Sequence, residues 1–477
     1  MSSAPLWTVD AMAQAMGAER SGALPVSTSG ISIDSRRIGR GEAFFAIKGG
    51  ARDGHEFVPA ALANGAGLAV VAEKGNAYPK DAPLLVVPDV LEGLCELARA
   101  ARARSQAQVI GVTGSVGKTG TKEALRLALE SSGETHTSVA SYNNHWGVPL
   151  SLGRCPASAR FAVFEMGMNH AGEIEPLSRL VQPHVAIVTT IAPVHLEHLG
   201  SIAAIADAKA EIFQGLVPGG AAVINRDIPQ YRQLAQSAKA AGARVVSFGE
   251  HAKADARLVK SSLRADCSTA QARILGTDVT YKLGAPGHHV VMNSLAVLAA
   301  AQLAGADLAL AALALAGLAP PTGRGARSDL YLPDGSALLI DESYNANPAS
   351  MQAAIALLGQ ADITDSGRRI AVLGDMLELG PSGAELHRSL VEPVMAQDID
   401  LVFCCGPLMH SLWEALPSER RGGYAETSAA LEPQVLAAVR AGDAIMIKGS
   451  LGSRMGPIVK ALERNYSTNA LAAPSQG

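Results

Sequence analysis

Gly114, Ser115, Gly117, Lys118 and Thr119 crowd into one stretch, Gly111-Val112-Thr113-Gly114-Ser115-Val116-Gly117-Lys118-Thr119. Together they suit one task, holding a polyphosphate. Glycines let backbone N–H groups approach an anion, a lysine adds charge, and a threonine hydroxyl offers an oxygen to Mg²⁺. Apolar Val109-Ile110 precedes the loop and a helix-like run, 121–129, follows. That context favours an anion cradle over a glycine turn with a chance Gly-Lys-Thr. The strict phosphate-loop pattern has a glycine six residues before its lysine, where this chain has Val112. We expect a variant loop that binds a nucleoside triphosphate. A GTPase switch would also need an Asn-Lys-x-Asp motif, which the sequence lacks.

Other candidates cluster downstream. Phe161-Ala162-Val163-Phe164-Glu165 reads as a buried strand ending in a carboxylate. Ligands of parallel sheets sit at the carboxyl ends of strands, so Glu165 is expected on the same edge as the loop, where an oxygen ligand suits Mg²⁺. A surface ion pair is the plainer alternative. Pro193-Val194-His195-Leu196-Glu197-His198 fits a metal cluster or ordinary hydrogen-bonding histidines. Lys209, in helical Asp207-Ala208-Lys209-Ala210-Glu211, reads by itself as a solvated helix lysine. Asn143, Asn144, Asn345 and Asn347 fit substrate contacts or turn chemistry equally well.

These residues need elements to hold them. The 477 residues suggest about three domains. Strand-like runs at 109–112, 161–164, 185–189, 221–224 and 245–248 alternate with helical pattern, the rhythm of an open parallel sheet with helices on both faces. Before about residue 105, runs at 30–35, 43–47 and 68–71 and a helix from Phe57 outline a first α/β domain. Pro320-Pro321-Thr322-Gly323-Arg324-Gly325 marks a hinge. Runs at 338–341, 370–375, 401–404 and 444–447 then outline a second, smaller α/β sheet. The expected limits are 1–105, 106–319 and 320–468, with a disordered tail at 469–477.

Composition agrees with a cytoplasmic protein. Hydrophobic residues are 48% and charged residues 18%, and the net charge of −4 points to neither nucleic acid nor an anionic membrane. Five cysteines, an odd number without metal-ligand spacing, argue against a disulfide framework. Residues 1–17 lack a basic segment followed by an apolar core, so no signal peptide is expected. The Ala-rich stretch 295–318 is interrupted by Gln302 and Asp307 and reads as two packed helices broken at Gly305.

In order and spacing, Thr-Gly-Ser-Val-Gly-Lys-Thr, Glu165, His195-Leu-Glu and Ala208-Lys209-Ala-Glu211 resemble the Mur ligases, ATP-dependent peptide-bond-forming enzymes of cell-wall precursor synthesis. The resemblance spans nearly the whole chain. Asp34-Ser35-Arg36, with Lys48-Gly49-Gly50 and Asp53-Gly54-His55, is similar to the family's N-terminal uridine-nucleotide domain, which folate ligases of this fold lack. Pro286-Gly287, His289 and Asn293 resemble the helix that reaches adenine, Arg324 the interdomain arginine, and Asp341 the ribose-contacting acid. Within the family, Gly-Ser-x-Gly-Lys-Thr, Tyr142-Asn143-Asn144, Tyr344-Asn345-Ala-Asn347-Pro and Leu373-Gly-Asp375-Met-Leu-Glu378 resemble the dipeptide-adding branch. The Asp-Asn-Pro-Arg signature of the diaminopimelate-adding branch is absent. Val290 and Leu451 depart from the usual Asn and Arg, with Arg454 as a substitute for the latter.

The resemblance implies three domains: a central doubly wound, mostly parallel sheet with a variant phosphate loop, flanked by an N-terminal uridine-nucleotide domain and a C-terminal Rossmann-like domain. It implies a monomer that joins D-alanyl-D-alanine to UDP-N-acetylmuramoyl-tripeptide through an acyl phosphate. Gly114, Ser115, Gly117, Lys118, Thr119, Asn293, Arg324, Asp341 and Tyr344 would bind ATP. Ser35, Arg36, Asn143, Asn144, Asn345 and Asn347 would bind substrates. Lys118, His195 and Lys209 would be catalytic. Thr119, Glu165, His195 and a CO₂-carbamylated Lys209 would hold two Mg²⁺. A carbamate forms only on a neutral amine, so Lys209 is then expected to be partly buried with a lowered pKa. A non-catalytic ATP-binding regulator could discard Glu165, His195 and Lys209, and all three are present.

Overall fold

The protein is described from a computed structural model covering residues 5–50, 52–75, 78–138, 141–364 and 366–467. The expected tail at 469–477 lies outside these residues.

Residues in the middle of the chain build a nine-stranded sheet. Its order is Thr277–Leu283, Ser268–Ile274, Ala256–Leu263, Arg244–Gly249, Ala221–Asn225, Val185–Val188, Gln108–Thr113, Phe161–Glu165 and Thr135–Thr137. From Thr135–Thr137 to Ala256 all pairing is parallel. Side chains of Gln108–Thr113 alternate between the faces: Val109 enters one core, while Ile110 and Val112 enter the other. Burial on both faces explains why the inner strands read as continuous apolar runs.

Sequence reading missed the antiparallel extension from Ala256 to Leu283. Its strands are polar on alternate positions, as in Ser268–Ile274, where only one face is buried. The expected strand at 30–35 shrinks to Ile31–Ser32. There the Ser32 hydroxyl accepts from Asp34 N and the Asp34 carboxylate accepts from Arg36 N, closing a turn.

Two helices govern the site. Lys118–Glu130 buries Thr121, Leu125, Ala128 and Leu129 along one face. His288–Leu303 has an almost wholly buried run from Ser294 to Ala301, because it lies against the sheet and against Lys118–Glu130. It ends before Gly305, which has φ +80°, and Asp307 caps Leu308–Ala314 by accepting from Leu310 N. The stretch 295–318 is thus two packed helices. Among the described residues no helix is long and apolar enough to cross a membrane.

The last part of the chain forms a six-stranded sheet ordered Ala326–Leu332, Gly335–Glu342, Ala444–Lys448, Arg369–Gly374, Leu401–Cys405, Arg421–Ala425. Five strands run parallel, and Ala326–Leu332 is an antiparallel edge. The first part carries a five-stranded sheet, Glu19–Ser21, Leu84–Val86, Leu68–Val71, Ala43–Phe45 and Ile31–Ser32. One hydrophobic cluster continues from Trp7 in this part to Ala238 in the middle part. Trp7 Nε1 also donates to the Gly153 carbonyl at 2.8 Å. The first two parts therefore share a core.

Candidate active site

The phosphate loop leaves the sheet where the strand order reverses. Gln108–Thr113 lies between Phe161–Glu165 and Val185–Val188, with Val112 opposite Glu165 and Thr113 opposite Val188. This parallel register brings the loop, Glu165 and the segment after Val188 to one sheet edge. Neighbouring strand ends pin the loop. Ser115 N donates to the Thr190 carbonyl at 2.9 Å and Ser115 Oγ to the Ala192 carbonyl at 3.1 Å. Thr189 Oγ1 donates to the Val116 carbonyl at 2.6 Å. Gly114 and Gly117 have φ of +148° and +87°. A Cβ on Gly114 would collide with the Thr189 hydroxyl, and one on Gly117 would lie 2.6 Å from Asn293 Nδ2. Only glycine fits either place.

Lys118 opens its helix, and its ammonium donates to the Gly114 carbonyl at 2.8 Å. Burial lowers its pKa; Glu165 opposes that shift and Arg324 adds to it. Thr119 Oγ1 donates to Glu165 Oε2 at 2.9 Å, and Asn143 Nδ2 to Glu165 Oε1 at 2.7 Å. Glu165 is 1% exposed, which rules out the surface-pair reading. Two oxygens on rigid elements beside a phosphate loop suit a hard cation that completes its shell with phosphate. Among the described residues no group of three His, Cys, Asp or Glu could hold a metal. The His195-Leu-Glu-His198 segment is accordingly not a preformed cluster.

His195 Nδ1 instead hydrogen-bonds Glu378 Oε2 of the last sheet's domain. Burial lowers the His195 pKa; Glu378 pushes it up, while Lys209 and Lys118 push it down. Lys209 is 2% exposed, so the solvated-helix reading is wrong. Its helix, Ile202–Ala210, is packed rather than solvated on that face, and burial followed by the Lys118 charge holds its pKa well below the usual lysine value. Glu211 serves elsewhere: its carboxylate accepts from Gly172 N, Ile174 N and Glu175 N at the start of helix Ile174–Val181.

A cavity of ≈ 600 Å³ joins the middle and last parts. Its walls include Ser115, Gly117, Lys118, Thr119, Asn143, Glu165, His195, Asn293, Arg324, Tyr344, Asn345 and Asn347. The Arg324 guanidinium lies 4.2 Å from the centre of the Tyr344 ring. Val290 also lines the wall, beside His289.

Gly114, Lys209, Asp341, Asn144, Ser35 and Arg36 are outside the lining. Asp341 accepts from Gly323 N and from the Ser343 amide and hydroxyl, closing the hinge loop onto its strand end. Asn144 Oδ1 accepts from Gly147 N, as turn chemistry would have it. Arg36 makes a two-point pair with Asp34 in the first part. Sequence reading gave no site role to Glu378, Glu342, Lys448 or Ser450, all of which line the cavity. Each lies in a loop or at a strand end at the carboxyl edge of the last sheet, the one signal that could have marked them.

A phosphate loop and a strand-end carboxylate facing a second parallel sheet across one cavity define a nucleotide-using enzyme. The chain belongs to the Mur ligase family. Residues 27–102 match the description "Mur ligase family, catalytic domain", residues 112–301 "Mur ligase middle domain", and residues 330–451 "Mur ligase, glutamate ligase domain". It is similar to the UDP-N-acetylmuramoyl-tripeptide–D-alanyl-D-alanine ligases of Bacillus subtilis (strain 168) and Escherichia coli (strain K12). Identity to the first is 34%, over 91% of this chain and 93% of that protein. Identity to the second is 33%, over 96% and 98%. Among solved structures, MurF from Acinetobacter baumannii superposes with a TM-score of 0.83 at 29% identity, over 97% of this chain and all of that one. MurF from Thermotoga maritima in complex with ADP superposes with a TM-score of 0.75 at 26% identity, over 92% and 98%.

Proposed function

We propose that this protein joins D-alanyl-D-alanine to UDP-N-acetylmuramoyl-tripeptide, consuming ATP and releasing ADP and phosphate in cell-wall precursor synthesis. The observation that carries the reading is the shared cavity, in which the phosphate loop and Glu165 face Tyr344, Asn345 and Asn347. The relatives named above are ligases for these two substrates.

The chemistry follows from the charges present. A carboxylate has no good leaving group until a phosphoryl group is placed on it. The tripeptide carboxylate oxygen attacks the γ-phosphorus and ADP leaves. The dipeptide nitrogen then attacks the acyl carbon, forming the amide, and phosphate departs with the former acyl oxygen as the nitrogen loses its proton. Lys118 and the loop amides stabilise charge on the transferring phosphoryl group. Asn293 packs close to Gly117, which places the helix expected at adenine beside the loop. Arg324 and Tyr344 stack at the hinge, and Asn143 holds Glu165 in place.

Thr119 and Glu165 would hold one Mg²⁺, which neutralises phosphate charge when bound. His195 and Lys209 would serve a second. A buried lysine with a lowered pKa is chemically ready to add to CO₂, and the carbamate converts a cation into an oxygen donor. Ser35, Arg36 and Asn144 would contact the UDP-linked substrate as it spans the first two parts. We retain domain limits of 1–105, 106–319 and 320–468, a monomeric state and a cytoplasmic location.

Incubation with ATP, UDP-muramoyl-tripeptide and a panel of amino acids and dipeptides tests the reading by ADP release and product mass. Ligation of D-alanyl-D-alanine is expected. Absence of ligation with that pair, while another pair reacts, would overturn it.

A further inference from the structure

Two loops of the last sheet face the cavity, and a third ties them together. The first, Asn345–Asn347, follows strand Gly335–Glu342. The second, Asp375–Glu378, follows Arg369–Gly374 and delivers Glu378 to His195. Between these strands lies Ala444–Lys448, which runs parallel to both. Its end residues reach sideways in both directions.

Lys448 is 2% exposed, and its ammonium donates to Glu342 Oε2 and to the Asn345 carbonyl, each at 3.0 Å. The Ser450 hydroxyl accepts from Leu377 N at 3.0 Å and donates to the Ala346 carbonyl at 3.3 Å. Ser450 N donates to the Asp375 carbonyl at 3.0 Å. One buried hydroxyl therefore spans both loops. The approach needs bare backbone: a Cβ on Gly449 would lie 2.6 Å from Met455 Cγ, and one on Gly374 2.7 Å from Met455 Sδ.

Helix propensity or sheet pairing does not demand this bridge. Asn347 already caps helix Pro348–Gly359 through a capping box with Ser350. What the bridge sets is the spacing between the Asn345–Asn347 edge and the Glu378 edge of the cavity. We propose that Ser450, supported by Lys448, is a positioning residue that holds these loops in register, so that the acceptor dipeptide is presented to the activated carboxylate at the His195 side. The proposal rests on the ligase reading above and adds two residues to it. Neither needs to touch a reacting atom.

The test compares Ser450→Ala, Ser450→Thr and Lys448→Met with the full-length wild type. Acceptor and ATP are varied separately, and amide hydrogen exchange is followed across 345–347 and 375–378. Losing both hydroxyl hydrogen bonds in Ser450→Ala should raise the D-alanyl-D-alanine KM about tenfold while the ATP KM stays within about twofold. Exchange at the Leu377 amide should accelerate, since its acceptor is gone. Ser450→Thr, which keeps the hydroxyl, should restore both readouts, and Lys448→Met should loosen 345–347 more than 375–378. An unchanged acceptor KM, a parallel rise in both KM values, or unaltered exchange at Leu377 would overturn the proposal. Exchange needs no substrate. If the wild type did not use the dipeptide, the ligase reading would fail while the brace would still stand or fall on Leu377.

Discussion

Glu378 crosses from the last sheet's domain to hydrogen-bond His195 of the middle domain, 183 residues away along the chain. Both hold left-handed backbone, with φ of +62° and +54°. Neither is glycine, so each conformation costs free energy that the surrounding structure must offset. Glu197 N also donates to the Glu378 carbonyl at 3.4 Å, so the contact has a backbone component. The domains are thus latched at the edge of the cavity. Glu378→Ala should lower turnover by about tenfold or more, with a melting temperature within a few degrees of wild type, because an exposed contact contributes little to global stability. Steady-state kinetics paired with calorimetry decide it, and full activity in the variant would remove the latch from the mechanism.

Lys118→Ala should reduce ligation by about three orders of magnitude, because the lysine stabilises charge on the transferring group in a site shielded from water. Among the described residues its side chain hydrogen-bonds a loop carbonyl, so the fold should survive. A well-folded variant turning over at the wild-type rate would sink the nucleotide assignment.

Gly114→Ala should lose ATP binding while leaving the far domains folded. The added methyl meets the Thr189 hydroxyl, and φ at this position lies in the region that favours glycine. Nucleotide titration calorimetry checks this, and an unchanged affinity would show that the loop has another use.

Lys209→Ala should lose orders of magnitude in turnover, with partial recovery in formate or acetate, small anions that could fill the place of a carbamate. Lys209→Arg should not recover, since it keeps a cation there. Activity in Lys209→Ala without added anion would exclude the carbamate.

The same lysine makes a pH prediction in bicarbonate-free buffer. Its folded pKa lies well below the usual lysine value, so between the two values the unfolded chain binds more protons. Stability from this group is full above the unfolded pKa, about 10.4, and is lost as pH falls toward the folded one. Lys209→Met should therefore melt above wild type at neutral pH, and the gap should narrow as pH rises toward 10. A gap independent of pH would mean that Lys209 stays charged in the folded protein.

Much of this site was legible in the linear sequence. The loop from Gly114 to Thr119 and the strand-end Glu165 are local patterns: a turn, a helix start and a β-strand each impose their residue types over a few positions, and parallel pairing sets their strand ends level. The loop at 320–325 and the break at Gly305 were readable for the same reason, since glycine and proline act on their own backbone. Lys209 was not. Its neighbours in sequence describe a solvated helix, and only packing of that helix beside Lys118 and His195 removes water from its amine. Nor could any local pattern announce that Glu378 meets His195, or that Ser450 joins Leu377 to Ala346. Those contacts depend on which strands the last sheet places side by side and on how that sheet faces the middle one. Chain proximity decides the first group; long-range burial and strand order decide the second.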